Sequence, residues 1–243
     1  MTATSLITPA TGSRRGRPPL PRQAIVYPES DGQPMADNTR QFEYIVMIQG
    51  GLAALFADRP DVFVAGDLLW YPVEGQPHIR AAPDAMVVFG RPPGHRGSYL
   101  QHEEDHIAPQ VVFEVLSPGN TPAEMRKKRG FYDRYGVEEY YEYDPDRGTL
   151  KGWRRREGRL EPIDRMEGWV SPLLGIQFSL EGSDLALYHP DGQRFETFVE
   201  QARRVKAERQ RAETERQRAE TERQRAEQLA ERLRQLGVDP DTL

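Results

Sequence analysis

The chain has 243 residues, of which 37% are hydrophobic and 29% charged, with a formal net charge of −5 and no cysteine. Without cysteine there is no disulfide, thiolate zinc site or cysteine nucleophile; no apolar run is long enough to span a bilayer and no signal-peptide core opens the chain, so a soluble, cytoplasmic protein is expected. Residues 1–23 hold four Arg and no acid, residues 200–243 eleven basic and ten acidic side chains, and residues 24–199 the other 18 basic and 28 acidic, a body of −10 that disfavours non-specific nucleic-acid binding.

Residues 1–23, rich in Thr, Ser, Pro and Arg, are expected to be a disordered basic tail. Arg15-Gly16-Arg17-Pro18 matches the short core of an AT-hook, but four residues arise easily by chance and a solvated tail is the plainer reading. From Asn38 to Phe56 the pattern is helical, with Ile45, Ile48, Leu52, Leu55 and Phe56 on one stripe. Gln41 falls beside that stripe and is the residue of this helix expected to look into a site; Glu43 points away and reads as solvated.

Val62 to Tyr71 reads as a strand, and Pro83-Asp84-Ala85-Met86-Val87-Val88-Phe89 as a second, with Asp84 leading it on the side of Met86 and Val88. The loop that follows contains His102-Glu103-Glu104-Asp105-His106, literally H-E-x-x-H. That zinc pattern needs a helix to set two His one turn apart. Here Gly97 and Pro109 bound a polar segment with little apolar stripe, so a surface loop is expected.

Gln110 to Leu116 is a near-continuous apolar run, the signature of a strand covered on both faces, and Pro118-Gly119 ends it. Glu114 interrupts that run. An unpaired buried charge costs several kcal/mol, so Glu114 must be paired, protonated or bound to a cation. Thr121-Pro122-Ala123-Glu124 is a capping box with Pro at the first helical position, opening a helix to Tyr135 that Gly136 stops. Its stripe is Met125, Lys128, Tyr132 and Tyr135. Lys128 is therefore aimed inward, with the sign needed to partner Glu114, while Lys127 falls on the opposite, solvated side.

Glu139 to Tyr143 reads as a strand, and shorter strands near 150–153, 160–163 and 176–180 suggest an antiparallel extension. The last segment is a seven-residue repeat, Glu-Arg-Gln-Arg-Ala-Glu-Thr, beginning at Glu208, Glu215 and, with a final Gln, Glu222. Phe198, Val205, Ala212, Ala219, Ala226 and Leu233 keep one heptad position apolar, but Arg209, Arg216 and Arg223 fall at the facing position and weaken any coiled-coil seam. Glu213–Arg216, Glu215–Arg218 and Glu220–Arg223 pairs would support a single helix. A solvated helix and a loose dimer strut both fit.

Asp84, Glu114 and Lys128 thus stand as two carboxylates on adjacent strands and one amine from the covering helix. Paired acids repel unless a cation lies between them, and oxygen donors without His or Cys suit Mg²⁺ or Mn²⁺. A lysine beside such an ion can serve phosphodiester hydrolysis.

Pro83-Asp84, Val112 to Asn120, Lys128-x-x-x-Tyr132 and Gly136-Val137-x-Glu139-Tyr140 resemble the Uma-type restriction-endonuclease family of the PD-(D/E)XK, restriction-endonuclease-like superfamily, over roughly residues 25–190. The resemblance implies an α/β fold, a mixed sheet flanked by helices, here followed by a long C-terminal helix. It also implies Asp84 and Glu114 as metal-binding acids and Lys128 as the catalytic lysine, moved from the superfamily's usual place two residues after the second acid, where Leu116 stands. The acid that many members carry on the first helix is not evident, and Gln41 takes the nearest inward position. The expected organisation is a basic tail at 1–23, a nuclease domain at 24–195, a charged helix at 196–236 and a tail at 237–243. The expected function is Mg²⁺- or Mn²⁺-dependent endonuclease cleavage of nucleic acid, with DNA as the expected substrate; the alternative is a catalytically silent scaffold whose C-terminal helix dimerises or recruits a partner.

Overall fold

The structure, a computed structural model, describes residues 25–30 and 32–235. The basic tail with its Arg15–Pro18 motif, and the tail at 237–243, lie outside the described residues. Helix α1 (Thr39–Leu55) opens where Asn38, in extended conformation, accepts a hydrogen bond from the Gln41 N–H through its side chain. Strands β1 (Val62–Ala65), β2 (Trp70–Tyr71), β3 (Ala85–Phe89), β4 (Tyr99–Leu100) and β5 (Val111–Val115) follow. Helix α2 (Pro122–Arg134) crosses over to β6 (Glu139–Asp144), and β7 (Thr149–Arg156), β8 (Arg159–Pro162), β9 (Gln177–Glu181) and β10 (Asp184–Tyr188) precede the long α3 (Phe198–Gln235).

Six strands form one mixed sheet in the order β1-β3-β5-β6-β7-β8, antiparallel except for the β5–β6 pair. That parallel pair requires a crossover, which α2 supplies. Alternation along β5 divides its side chains between two cores. Val111, Phe113 and Val115 pack with Ile45, Ile48 and Leu52 of α1 and with Phe178 and Leu187 of the β9–β10 hairpin. Val112 packs on the opposite face with Tyr132 of α2, Tyr140 and Trp153. Each face of the central strand is therefore sealed, as its apolar composition requires.

Three elements differ from the sequence expectation. The run from Val62 to Tyr71 is two strands, because Asp67 takes a φ of 48° and its N–H bonds the Pro83 carbonyl, so that β2 leaves the main sheet and pairs with β4. The expected antiparallel extension is divided: β7 and β8 continue the main sheet, whereas β9 and β10 form their own hairpin. On α3, Glu213 and Glu220 accept bonds from Gln217 and Gln224, and the ion pairs along its length are Arg204–Glu208, Arg223–Glu227 and Arg234–Glu231. The chain enters α3 past Phe195, whose buried ring lies 2.1 Å from where a Cβ at Gly51 would stand, so only glycine fits that point of α1.

Candidate active site

The site forms where β3 and β5 meet at one edge of the α2 face. The β3–β5 register pairs Ala85 with Phe113, Met86 with Val112 and Val87 with Val111; one step further it sets Asp84 across from Glu114. Asp84 shares the parity of Met86, and Glu114 that of Val112, so both acids point to the face that α2 covers. Asp84 is held by its own strand partner, its Oδ2 accepting the Val115 N–H at 2.6 Å. Its Oδ1 receives no hydrogen bond among the described residues.

Helix α2 is placed by its cap: the Thr121 hydroxyl accepts the Glu124 N–H at 3.2 Å, with Pro122 at the first position. Two turns in, the face toward the sheet presents Lys128 and, four residues later, Tyr132. Lys128 Nζ donates to Glu114 Oε2 at 2.9 Å, and the Tyr132 hydroxyl donates to Glu114 Oε1 at 2.5 Å. The Glu114 side chain is 2% exposed and that of Lys128 31%, so the amine reaches the acid from the solvent side. An aromatic row fixes the phenol, with Tyr132 centroids 6.3 Å from Trp70 and 5.1 Å from Tyr140.

The electrostatics follow from this crowding. Burial first, and the Glu114 charge second, push the Asp84 carboxyl well above the usual carboxylate range; the Val115 N–H and Lys128 only partly offset them. For Lys128, burial alone would lower the pKa, but the charge of Glu114, its hydrogen bond and then Asp84 outweigh that and hold the amine above its ordinary value. Lys128 is thus a fixed cation. Burial and Glu114 likewise raise Tyr132, which stays a neutral donor.

Asp84, Glu114 and Lys128 line an open cleft of about 470 Å³ together with Asp37, Asp67, Arg80, Glu124 and Lys127, with Tyr132 buried behind it. Lys127, expected on the solvated side, is exposed and borders the same cleft. Gln41 also borders it, 6% exposed, but both ends of its amide are taken by main chain: Nε2 donates to the Val115 carbonyl at 2.8 Å and Oε1 accepts the Asp37 N–H at 2.8 Å. Gln41 therefore clamps the end of β5 to the segment entering α1. Glu43 is exposed.

Sequence reasoning missed two participants, Tyr132 and Asp37, and one neighbour in the adjoining groove, Glu142. Tyr132 could have been assigned, since its spacing of four from Lys128 puts both on one helix face. Asp37, whose Oδ2 accepts the Ser117 hydroxyl at 2.5 Å, enters the cleft from just before α1 and has no local signal. Glu142, directly across from Glu114 in the parallel β5–β6 pair and bonded by the Tyr140 hydroxyl at 2.8 Å, required the strand register.

Two carboxylates with hard oxygen donors, one oxygen unbonded, fit an ion such as Mg²⁺, which keeps several waters and takes one or two protein carboxylates. Glu114 can still ligate, because each carboxylate oxygen has two lone-pair sites and its known partners use one each. Among the described residues, no group of three or more His, Asp or Glu side chains gathers to hold a metal. The H-E-x-x-H stretch lacks the helix that its zinc reading needs: Gln101–Glu103 is a single 3-10 turn, and Asp105 and His106 have φ of 53° and 58°.

A six-stranded mixed sheet with helices packed on it makes this an α/β protein, and Asp84, Glu114 and Lys128 come together at the edge of its central strands. Residues 33–187, well over half of the chain, match the Uma2 family, described as "Putative restriction endonuclease", and the chain belongs to that family. A similar solved structure is the crystal structure of "a putative nuclease belonging to DUF820 from Anabaena variabilis", 16% identical, covering 56% of this chain and 72% of that one with a TM-score of 0.41. No curated protein matches. Among the described residues, no helix is long and apolar enough to cross a membrane.

Proposed function

We propose that the protein is a metal-dependent endonuclease that hydrolyses phosphodiester bonds of DNA at the Asp84–Glu114–Lys128 cleft. The observation that carries this reading is the convergence itself: Lys128 Nζ lies 2.9 Å from Glu114, and burial first and the Glu114 charge second push the Asp84 carboxyl up. A cation between the two acids would relieve that repulsion, and Mg²⁺ or Mn²⁺ bound there would supply charge neutralisation and an acidified water.

The chain's own residues carry the rest. Lys128, which donates to Glu114 at the mouth of the cleft, steadies negative charge growing on the phosphoryl oxygens. Tyr132 fixes the Glu114 carboxylate so that the acid does not swing onto Lys128 alone. Gln41 acts as a positioning residue through the Val115 carbonyl. Lys127 and Arg80, on the cleft wall, offset its acids where a polyanion enters.

A separate role falls to α3. None of its described side chains is buried, and exposed apolar groups such as Phe198 (76%) and Leu229 (62%) are what a dimer strut would cover. Titrating Mg²⁺ or Mn²⁺ into the purified protein with mixed plasmid and single-stranded substrates tests the enzyme, and deleting residues 200–243 tests the division of labour. Cleavage that appears with the metal and survives the deletion, while dimerisation is lost, is the expected result. No cleavage by either form under any metal would leave only a nuclease-fold scaffold.

A further inference from the structure

A second groove, of about 440 Å³, lies on the other flank of α2, and Asn120 lines both it and the cleft. The two cavities therefore abut at the N-terminal end of the helix. Four consecutive cations make that end a ridge: Lys127 and Lys128 border the cleft, while Arg126 and Arg129 border the second groove, as a 3.6-residue period dictates. Two more cations line the groove, Lys151 on β7 and Arg147 in the β6–β7 turn.

We propose that this groove holds the backbone of the same nucleic-acid strand that is cut in the cleft, the strand crossing over Asn120. The inference rests on the nuclease reading and adds a course for the substrate. Arg126 is exposed and in no ion pair among the described residues, and Lys151, also exposed, stands across from Glu142 in the β6–β7 register and partly offsets its charge. Arg147 pairs with Asp144 at 3.0 Å yet keeps its side chain 76% exposed, and the Arg129 guanidinium is braced over Trp153 at 4.8 Å from the ring centroid. The two acids in the floor are occupied: Glu142 accepts the Tyr140 hydroxyl, and Asp144 accepts Arg147 together with the N–H groups of Asp146 and Arg147. In a body of net charge −10, general attraction cannot bring a polyanion to the cleft. A local strip of cations leading up to it can.

The strip is open and runs on from the cleft, so its ligand is an extended phosphate backbone rather than a single small anion. Such contacts position a strand without reading its sequence.

The test is fluorescence anisotropy on the full chain in Ca²⁺ buffer, using a labelled oligonucleotide long enough to span both cavities, over a series of salt concentrations. Arg126→Ala and Lys151→Ala are each expected to weaken binding alike for all sequences and to lower the log–log salt slope by about 1, with Arg126→Lys restoring it. Arg156→Ala, on β7 but outside both cavities, is expected to leave affinity and slope unchanged. Wild-type binding with unaltered slopes in both Ala variants would overturn the groove and spare the nuclease reading. Wild-type protein that binds no oligonucleotide would overturn both.

Discussion

Asp84→Asn is expected to remove metal-dependent cleavage and, at neutral pH without metal, to raise the melting temperature. The loss follows from taking away one of two protein carboxylates; several kcal/mol of transition-state stabilisation, about a thousandfold in rate, goes with it. The gain follows from the charge balance. Asp84 is held above its ordinary range by burial and then by Glu114, so the folded protein ionises it at a cost that the unfolded chain does not bear. Below about pH 4 the group is neutral in both states and the cost vanishes. As pH climbs through the raised folded value, wild-type stability is lost, and Asn, which keeps an acceptor for the Val115 N–H, escapes that loss. Thermal melts across pH in a chelator should show the variant's advantage opening upward from about pH 4. Adding Mg²⁺ should reverse the order, since saturating the wild-type site at a hundred times its Kd adds about 2.7 kcal/mol. A variant less stable than wild type at neutral pH, or one that still cleaves, contradicts the assignment.

Lys128→Met is expected to reduce both cleavage and stability. Among the described residues the amine is the single charged partner of a carboxylate that is 2% exposed, and removing one member of a buried pair costs about 3 kcal/mol. For a chain of this size that lowers the melting temperature by roughly 6–12 °C. Adding Glu114→Gln in the same chain should return most of that stability, because position 114 no longer carries an unpartnered charge, but none of the activity. Cleavage should fall about a hundredfold from the lysine change alone. Stability recovered without cleavage separates the chemical role from the structural one; unchanged cleavage in Lys128→Met contradicts it.

What the sequence made legible was local. The Asn38 cap, the Thr121-Pro122 capping box and the placement of Lys128 on the inner stripe all depend on neighbours within two helical turns, and the structure puts α1 and α2 where those signals say. The conflict of a carboxylate in an apolar strand pointed to Glu114 before any partner was known, and its partner proved to be the misplaced amine. Features that depend on strand register or on returning loops were not legible. Asp37 reaches the cleft only because Gln41 ties its main chain toward β5, and Glu142 faces the adjoining groove only because β6 pairs parallel to β5 in one register. The helical wheel gave the right direction for Gln41 but not its task, which is decided by where β5 ends. The left-handed turn at Asp67 broke an apparent strand for a similar reason: its backbone answers to the Pro83 carbonyl, sixteen residues away.

Central to this account is a cation shared by Asp84 and Glu114. Electron paramagnetic resonance of Mn²⁺ titrated into the full-length protein at neutral pH tests it without relying on turnover. Wild-type protein should remove the free-ion signal with a saturable site that is absent from Asp84→Asn; equal uptake by both proteins, or uptake by neither, would contradict it.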